Sequence, residues 1–272
     1  MNEQERKQQI QKTFNTVAEG YDRPALRFFA DAAAILPELL QLQGHEHLLD
    51  VATGTGQAAR ALAPHVPRGR VVGIDFSEGM LDVARAHAAR QGLRNIEFAP
   101  MDMQSMTFAP RLFDGANCSF GIFFVEDMNT QLKHIATQVK VGGSVLACSF
   151  YESSFLPLAE LFFARLEKFG IQRPPVAWKR IATEEKSSAL FQLAGLANVK
   201  SQRRDLSYLL TDADQWWDII WFADFRGLVN QLTPEQLTQF KNEHLAEISE
   251  RATPDGMPLK VEILFTRGRV AA

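Results

Sequence analysis

The sequence predicts an α/β fold built on a doubly wound, mostly parallel sheet of seven strands. Short apolar runs of strand length alternate with segments of helical periodicity from residue 47 onward. The first of these runs ends in a glycine-rich turn that opens a helix, as in nucleotide-binding folds. A chain of 272 residues with 46% hydrophobic composition can also bury a large core. Such alternation is typical of parallel sheets covered by helices on both faces.

The first 150 residues supply most of the predicted sheet. Residues 3–43 are predicted to form two helices interrupted near residues 20–24, where Gly-Tyr-Asp-Arg-Pro breaks the helical spacing. The predicted strands are HLLDVA, RVVGID, NIEFAP, FDGANCSF and GGSVLACSF, and the helices between them are QAARALAPHV, SEGMLDVARAHAARQG and MNTQLKHIATQV. Ser77 is a suitable N-cap and Gly92 a suitable C-cap for the second of these helices.

Residues beyond 150 are predicted to complete the sheet and to cover it. A helix at about 183–195, a strand at about 198–206 and a strand in KVEILFTRGRV from Lys260 continue the core pattern. We therefore expect a single domain with N-terminal helices at 1–46, a ligand-binding core at 47–150, a helical lid at 151–182 and 211–257, and remaining core at 183–210 and 258–272. The aromatic residues of the lid, expected both to pack as core and to wall a substrate site, are Phe155, Phe162, Phe163, Trp216, Trp217 and Trp221.

Composition narrows the possible functions. The chain has 29 basic and 32 acidic residues, a net charge of −3, which gives no footprint for nucleic acid. The only cysteines, Cys118 and Cys148, lie in apolar runs and are expected to be core thiols. No run reaches the roughly 18 apolar residues of a membrane span, and the N-terminus lacks a signal sequence, so a cytoplasmic protein is expected. The six histidines do not have metal-ligand spacing, so no metal is expected. They are expected on the solvated surface, at positions 45, 47, 65, 87, 134 and 244.

The turn DVATGTG is suited to a polar ligand. Gly54 and Gly56 bring bare backbone to the start of a helix, where free N–H groups favour anionic or polar groups. A dinucleotide site would require G-x-G-x-x-G, and the third glycine is missing. Asp50 would repel a pyrophosphate but could receive an ammonium group. The turn therefore indicates a zwitterionic ligand.

Two further acids follow the next two strands. Asp75 ends VVGID, where a carboxylate can accept hydrogen bonds from ribose hydroxyls. Asp102 follows NIEFAP, and it could bond an adenine amino group while the thioethers of Met101 and Met103 pack on the ring. Together with the turn, these two acids indicate a nucleoside ligand with a zwitterionic tail.

At this point the chain resembles the class I S-adenosylmethionine-dependent methyltransferases, in the order DVATGTG, VVGID, APMD and FDGANCSFG over roughly residues 10–150. The resemblance is closest to the ubiquinone/menaquinone-biosynthesis methyltransferase-like group, through FNTVAEGYD and the FG of SFGIFF. It implies a Rossmann-like fold and S-adenosylmethionine as cofactor.

The resemblance also implies roles for individual residues. The residues carried over as cofactor contacts are Asp50 and the turn of Ala52, Thr53, Gly54 and Gly56 for the methionyl part, Asp75 for the ribose, Asp102 with Met103 for the adenine, Phe76 and Met80 beside the base or sugar, Ser119 after the fourth strand, and Tyr21 over the methyl donor. Ala52 stands where the family usually has glycine, which is tolerable if its backbone angle is not left-handed. Tyr21 could instead anchor a turn, and Ser119, Phe76 and Met80 each have ordinary packing interpretations.

Three hypotheses about activity follow. The first is methyl transfer to an oxygen or carbon of a lipophilic or aromatic small molecule, with the aromatic lid around the acceptor. A base could come from Glu126, Asp127, Tyr151 or Glu152, although each is individually more typical of an ordinary loop charge, so no catalytic residue is assigned. The second is a non-catalytic scaffold that only binds S-adenosylmethionine. The third, a nicotinamide-dependent oxidoreductase, is disfavoured by the missing glycine and by Asp50. The pattern leaves the oligomeric state open.

Overall fold

A computed structural model of the chain describes residues 3–223 and 225–271. The strands are β1 His47–Val51, β2 Arg70–Asp75, β3 Ile96–Pro100, β4 Phe113–Ser119, β5 Val139–Phe150, β6 Leu196–Asp205, β7 Tyr208–Leu210, β8 Met257–Leu259 and β9 Glu262–Val270. The α-helices are α1 Glu3–Val17, α2 Phe28–Leu40, α3 Gln57–Leu62, α4 Glu78–Arg90, α5 Met128–Gln138, α6 Leu158–Lys168, α7 Glu184–Leu193, α8 Ala213–Phe222, α9 Arg226–Val229 and α10 Pro234–Ser249.

The main sheet confirms the predicted fold class. Its seven strands run in the order β3-β2-β1-β4-β5-β9-β6. The first five pair in parallel, whereas β9 lies antiparallel between β5 and β6. The order reverses between β1 and β4, and in open α/β sheets ligands bind at such a switch point beyond the carboxyl ends of the strands.

The central strands form because their side chains are apolar on both faces and are buried on both. Leu48, Leu49 and Val51 of β1 are almost fully buried. Cys118 and Cys148 are free thiols buried in β4 and β5, as expected. The helix after β2 begins as predicted, because the Ser77 hydroxyl accepts a hydrogen bond from the Met80 amide.

The N-terminal helices also agree with the sequence. Helices α1 and α2 are separated by two short 3-10 turns at Ala18–Gly20 and Pro24–Leu26. Helix α1 is polar, and Val17 is its only fully buried residue. Helix α2 buries a complete apolar face. Apolar packing therefore holds α2 on the domain, whereas the polar α1 buries little.

The later half of the chain differs from the prediction in two places. Strand β5 begins at Val139, before the predicted Gly142. A second sheet, in which β7 pairs antiparallel with β8, was not predicted. Each of its strands has three residues, which is too short for an alternating strand pattern to be recognised between helical segments.

The expectation that all six histidines lie on the solvated surface is wrong for His244. Its side chain is fully buried in α10, whose inward face repeats at four-residue spacing as Phe240, His244 and Ile248. The Trp216 indole Nε1 donates to His244 Nε2 at 2.9 Å. A neutral imidazole is tolerated there because this hydrogen bond satisfies one ring nitrogen.

No helix among the described residues is long and apolar enough to cross a bilayer. Within the same ranges, no group of three or more His, Cys, Asp or Glu residues is arranged to hold a metal ion.

Candidate functional site

A cleft with an empty volume of about 1030 Å³ lies at the carboxyl ends of β1 to β4. Of the residues singled out from the sequence, those lining the cleft are Tyr21, Asp50, Ala52, Thr53, Gly54, Asp75, Phe76, Met80, Met101, Asp102, Met103 and Ser119. Gly56 is not among them. It precedes α3 with φ 77°, and an added Cβ would lie 2.8 Å from the Phe98 ring, so it serves the turn's packing.

The turn after β1 departs from expectation at Ala52. Its φ is 55°, in the left-handed region that the sequence analysis gave as the unfavourable case for alanine. The methyl group fits because Gly121 faces it, and an added Cβ on Gly121 would lie 2.7 Å from the Ala52 Cβ. A side chain at position 52 therefore depends on the absence of one at position 121.

The Asp50 carboxylate is buried among neutral partners. Its two oxygens accept hydrogen bonds from Thr53 Oγ1 at 2.5 Å and from Asn117 Nδ2 at 2.7 Å. Burial raises the pKa of Asp50 to about 6, and these two hydrogen bonds oppose the shift. A buried anion without a cationic partner is unfavourable, so the site is electrostatically suited to an ammonium group.

Asp75 is held by backbone donors on both carboxylate oxygens. Gly54 N donates to Oδ2 and Ser77 N to Oδ1, each at 2.9 Å. Burial raises the pKa of Asp75, and these amides oppose the shift. Each carboxylate oxygen has two lone pairs, so further acceptor capacity remains for hydroxyl groups in the cleft.

Asp102 has a partner that the sequence analysis did not identify. Lys7 Nζ lies 2.6 Å from Asp102 Oδ2, and the Gln104 amide donates to Oδ1. Lys7 belongs to α1 and itself lines the cleft. The third acid therefore reaches the cleft as part of an ion pair.

Helix α1 closes one side of the cleft through polar contacts. Gln11 Nε2 donates to the Phe76 carbonyl at 2.5 Å, and Asn15 Oδ1 accepts from Ser77 Oγ at 2.7 Å. No residue of α1 was predicted for the site, because the partners of α1 follow strands more than 60 positions away. The other cleft residues missed by the sequence analysis include Ile10, Phe14, Phe29, Ala33, Thr55, Gln57, Ala58, Gln104, Phe120, Gly121, Phe124 and Val125.

A second cavity of about 530 Å³ empty volume adjoins the cleft, and we call it the aromatic chamber. Its lining residues are Phe14, Tyr21, Phe28, Phe29, Phe120, Phe123, Phe124, Phe150, Phe155, Trp178, Ile219, Ala223 and Phe225. Five of these residues also line the cleft, namely Phe14, Tyr21, Phe29, Phe120 and Phe124. Tyr21 stacks on Phe29 with ring centroids 4.8 Å apart, so it stands in the shared wall.

The aromatic residues predicted for the lid divide between the chamber and the helix core. Phe155 lines the chamber. The rest, Phe162, Phe163, Trp216, Trp217 and Trp221, lie outside its lining, and their ring contacts are with one another and with Phe225, Phe240 and His244. The four candidate bases, Glu126, Asp127, Tyr151 and Glu152, also lie outside the lining of both cavities. Tyr21 is the one ionisable side chain of the chamber lining among the described residues.

The known proteins that this chain resembles include methyltransferases. A family model described as a methyltransferase domain matches residues 48–143. The chain is 29% identical over 216 residues to a demethylmenaquinone methyltransferase of Lactococcus lactis, covering 72% of this chain and 85% of the relative. It is 31% identical over 149 residues to a ubiquinone/menaquinone biosynthesis C-methyltransferase of Coxiella burnetii, covering 54% and 58%.

Solved structures share the fold. The YcgJ protein of Bacillus subtilis superposes with a TM-score of 0.60 at 20% identity, covering 89% of this chain and 99% of that one. A phosphoethanolamine N-methyltransferase of Haemonchus contortus in complex with S-adenosyl-L-methionine gives a TM-score of 0.54 at 16% identity, covering 94% and 60%. Together with the buried acid suited to an ammonium group and the second acid suited to hydroxyls, the domain match and the curated relatives show that this chain is an S-adenosylmethionine-dependent methyltransferase, similar in sequence to the ubiquinone/menaquinone-biosynthesis methyltransferases.

Proposed function

We propose that this enzyme transfers a methyl group to a carbon or oxygen of a planar, lipophilic small molecule bound in the aromatic chamber. The observation that carries the proposal is the chamber itself, which is lined by rings and shares a wall with the cofactor cleft. An apolar ring system would bury its surface there, whereas a charged acceptor would lose hydration without gaining an ionic partner from the described lining. The names of the two curated relatives, which refer to quinone biosynthesis, support the same class of acceptor.

We propose that the cleft residues divide the cofactor among them. Asp50 and the backbone of residues 52–56 would hold the methionyl ammonium and carboxylate, and Asp75 the ribose hydroxyls. Asp102 and Met103 would contact the adenine, with Phe76 and Met80 beside the base or sugar. Ser119 and Tyr21 would lie near the methyl donor, where the two cavities meet.

S-adenosylmethionine supplies an electrophilic methyl group on a sulfonium. The chain's contribution is to aim the acceptor and to exclude water while the charge disperses. The described chamber lining offers no carboxylate or imidazole as a base, and Tyr21 is its one ionisable group. An acceptor that ionises readily, as phenols and hydroquinones do, therefore fits the chamber best. The helical segments at 151–182 and 211–257 would form the acceptor lid, since Phe155, Trp178 and Ile219 on the chamber wall come from them.

The proposal is tested with S-adenosylmethionine carrying an isotopically labelled methyl group. The acceptor panel contains naphthohydroquinones with apolar tails, simple phenols, aromatic carboxylic acids and primary amines, and products are identified by mass spectrometry. We expect label on a ring carbon or phenolic oxygen. Label only on amines or carboxylates would contradict the proposed acceptor class.

A pair of variants separates the chamber from general packing. Phe155→Leu removes a chamber ring and should raise KM for the acceptor about fivefold, the equivalent of about 1 kcal/mol, with little change in cofactor affinity. Phe113→Leu is the matched control, because Phe113 is similarly buried and its ring packs on Phe108, and neither residue lines the chamber or the cleft. Equal changes in KM for the two variants would remove the support for a chamber-bound acceptor.

A further inference from the structure

The segment of residues 20–23 connects the cofactor cleft to α8, and it includes Gly20 and Asp22 of FNTVAEGYD, to which the cofactor contacts give no role. On one side, the Asp22 carboxylate accepts from Thr55 Oγ1 at 2.5 Å and from Gln57 Nε2 at 2.6 Å. Arg60 Nη2 donates to its other oxygen at 3.0 Å. Thr55 and Gln57 both line the cleft, so Asp22 fixes the wall of the cofactor site from behind.

The opposite side of the same segment holds α8. The Phe222 ring lies directly on Gly20, since an added Cβ at Gly20 would lie 2.0 Å from its Cδ1. The Arg23 guanidinium stacks over that ring at 4.3 Å and lies 3.3 Å from the Asp218 carboxylate. These contacts fix the position of α8 relative to the segment.

The two sets of contacts meet at the wall between the cavities. Tyr21 lies between Gly20 and Asp22 in sequence and lines both the cleft and the chamber. Helix α8 carries Ile219 to the far wall of the chamber. A continuous set of contacts therefore runs from the turn at Thr55 and Gln57, through residues 20–23, to α8, which lines the chamber.

We propose that residues 20–23 couple the two sites, with Asp22 and Arg23 as positioning residues. A bound cofactor restricts the turn at Thr55 and Gln57, Asp22 passes this restriction to the segment, and Arg23 with Gly20 passes it to α8. The chamber wall is then ordered only when the methyl donor is present, which disfavours acceptor binding to an empty enzyme. Only the statement about the acceptor depends on the proposed function, since the ordering of α8 does not require the acceptor's identity.

Hydrogen–deuterium exchange with S-adenosylhomocysteine tests the coupling without any acceptor. In the wild-type protein, the ligand should slow amide exchange across residues 213–222 by about fivefold or more, at the low end of ordinary coupling between sites. Arg23→Gln should bind the ligand within about twofold of wild type by calorimetry but lose this protection, because its contacts are on the α8 side only. Asp22→Asn should lose both affinity and protection, because its contacts are on the cleft side.

The matched control is Arg173→Gln. Arg173 also pairs with a carboxylate, Glu160, and also stacks over a phenylalanine ring, that of Phe163 at 4.4 Å, but it lies away from residues 20–23. It should retain the ligand-dependent protection of α8. A merely structural Arg23 would speed exchange of α8 equally with and without ligand.

Two results would overturn the coupling. One is equal ligand-dependent protection in wild type and Arg23→Gln, and the other is no protection of α8 in a wild-type protein that binds S-adenosylhomocysteine. In both cases the proposed acceptor class could still be correct. Failure of the wild-type protein to bind S-adenosylhomocysteine would instead overturn the cofactor assignment and the coupling together.

Discussion

The carboxyl group of Asp50 is buried with two neutral hydrogen-bond donors beside it, so burial and charge oppose each other at this residue. The position of this acid after the first strand was evident from the sequence. Its partner Asn117 was not, because it lies 67 positions away on the neighbouring strand β4. Sequence reasoning could therefore locate the charge but not the shift in its pKa.

Cofactor binding should depend on pH through Asp50. With a pKa of about 6, Asp50 must lose its proton before it can pair with an ammonium group. The affinity for S-adenosylhomocysteine, measured by calorimetry, should therefore fall as the pH drops below about 6, by up to about tenfold per pH unit. Asp50→Asn should bind more weakly at pH 7 and show a flatter profile. An identical pH profile in the variant would exclude Asp50 as the titrating group.

Ala52 should be more stable as glycine. A left-handed alanine costs roughly 1 kcal/mol, so Ala52→Gly should raise the free energy of unfolding by about that amount. The matched control is Ala86→Gly, at an exposed position inside α4, which should lower stability by about 1 kcal/mol. Chemical denaturation measures both, and a loss of stability in Ala52→Gly would show that the methyl contact at Gly121 outweighs the backbone strain.

At the scale of elements, the residue that caps α4 also contacts Asp75 in the cleft and α1 beside it. Ser77 accepts from the Met80 amide, and its hydroxyl donates to Asn15 of α1. Its own amide donates to Asp75. The sequence predicted the cap correctly, because serine before a helical run is a local signal. The contact with α1 depends on how distant elements pack, which no local pattern encodes.

Removing this cap should affect both stability and binding. Ser77→Ala should lower the free energy of unfolding by about 1 kcal/mol and also weaken S-adenosylhomocysteine binding, because α1, which lines the cleft, loses the hydrogen bond between Asn15 and the Ser77 hydroxyl. Thr183→Ala removes the equivalent cap of α7, where the Lys186 amide donates to the Thr183 hydroxyl, and it should affect stability alone. Unchanged cofactor affinity in Ser77→Ala would show that the two roles are separate.

At the scale of the whole molecule, the parallel half of the sheet was predictable and the late additions were only partly so. Strands β1 to β5 could be recognised in the sequence because each is apolar and is separated from the next by a helical run or a turn. The pairing of β7 with β8 was missed because it joins two three-residue strands separated by residues 211–256. His244 was misassigned because the histidines were judged by their lack of metal-ligand spacing and not by the helical spacing that His244 shares with Phe240 and Ile248.

The overall stability should fall in mild acid through His244. Burial lowers its pKa from 6.5 to about 4, with Arg165 lowering it further and Glu247 opposing. The unfolded chain therefore takes up a proton that the folded chain resists. The stabilisation is complete above about pH 6.5 and is lost as the pH falls toward about 4, by about 3 kcal/mol at most.

The variant His244→Gln isolates this contribution, because it keeps an acceptor for the Trp216 indole and removes the titration. Urea denaturation at several pH values should give a shallower decline between pH 6.5 and 4 for the variant than for the wild type. Parallel declines would assign the acid sensitivity to other groups.

The place of β9 in the sheet determines when the sheet can be completed. Strand β9 follows the other described strands in sequence, yet it lies between β5 and β6 and pairs with both. Until residues 262–270 have been synthesised, β6 has no neighbour in the sheet and β5 has a bare edge. During translation the parallel half can assemble early, while this edge stays exposed and prone to pairing with other chains. That edge is covered only after residues 262–270 have left the ribosome.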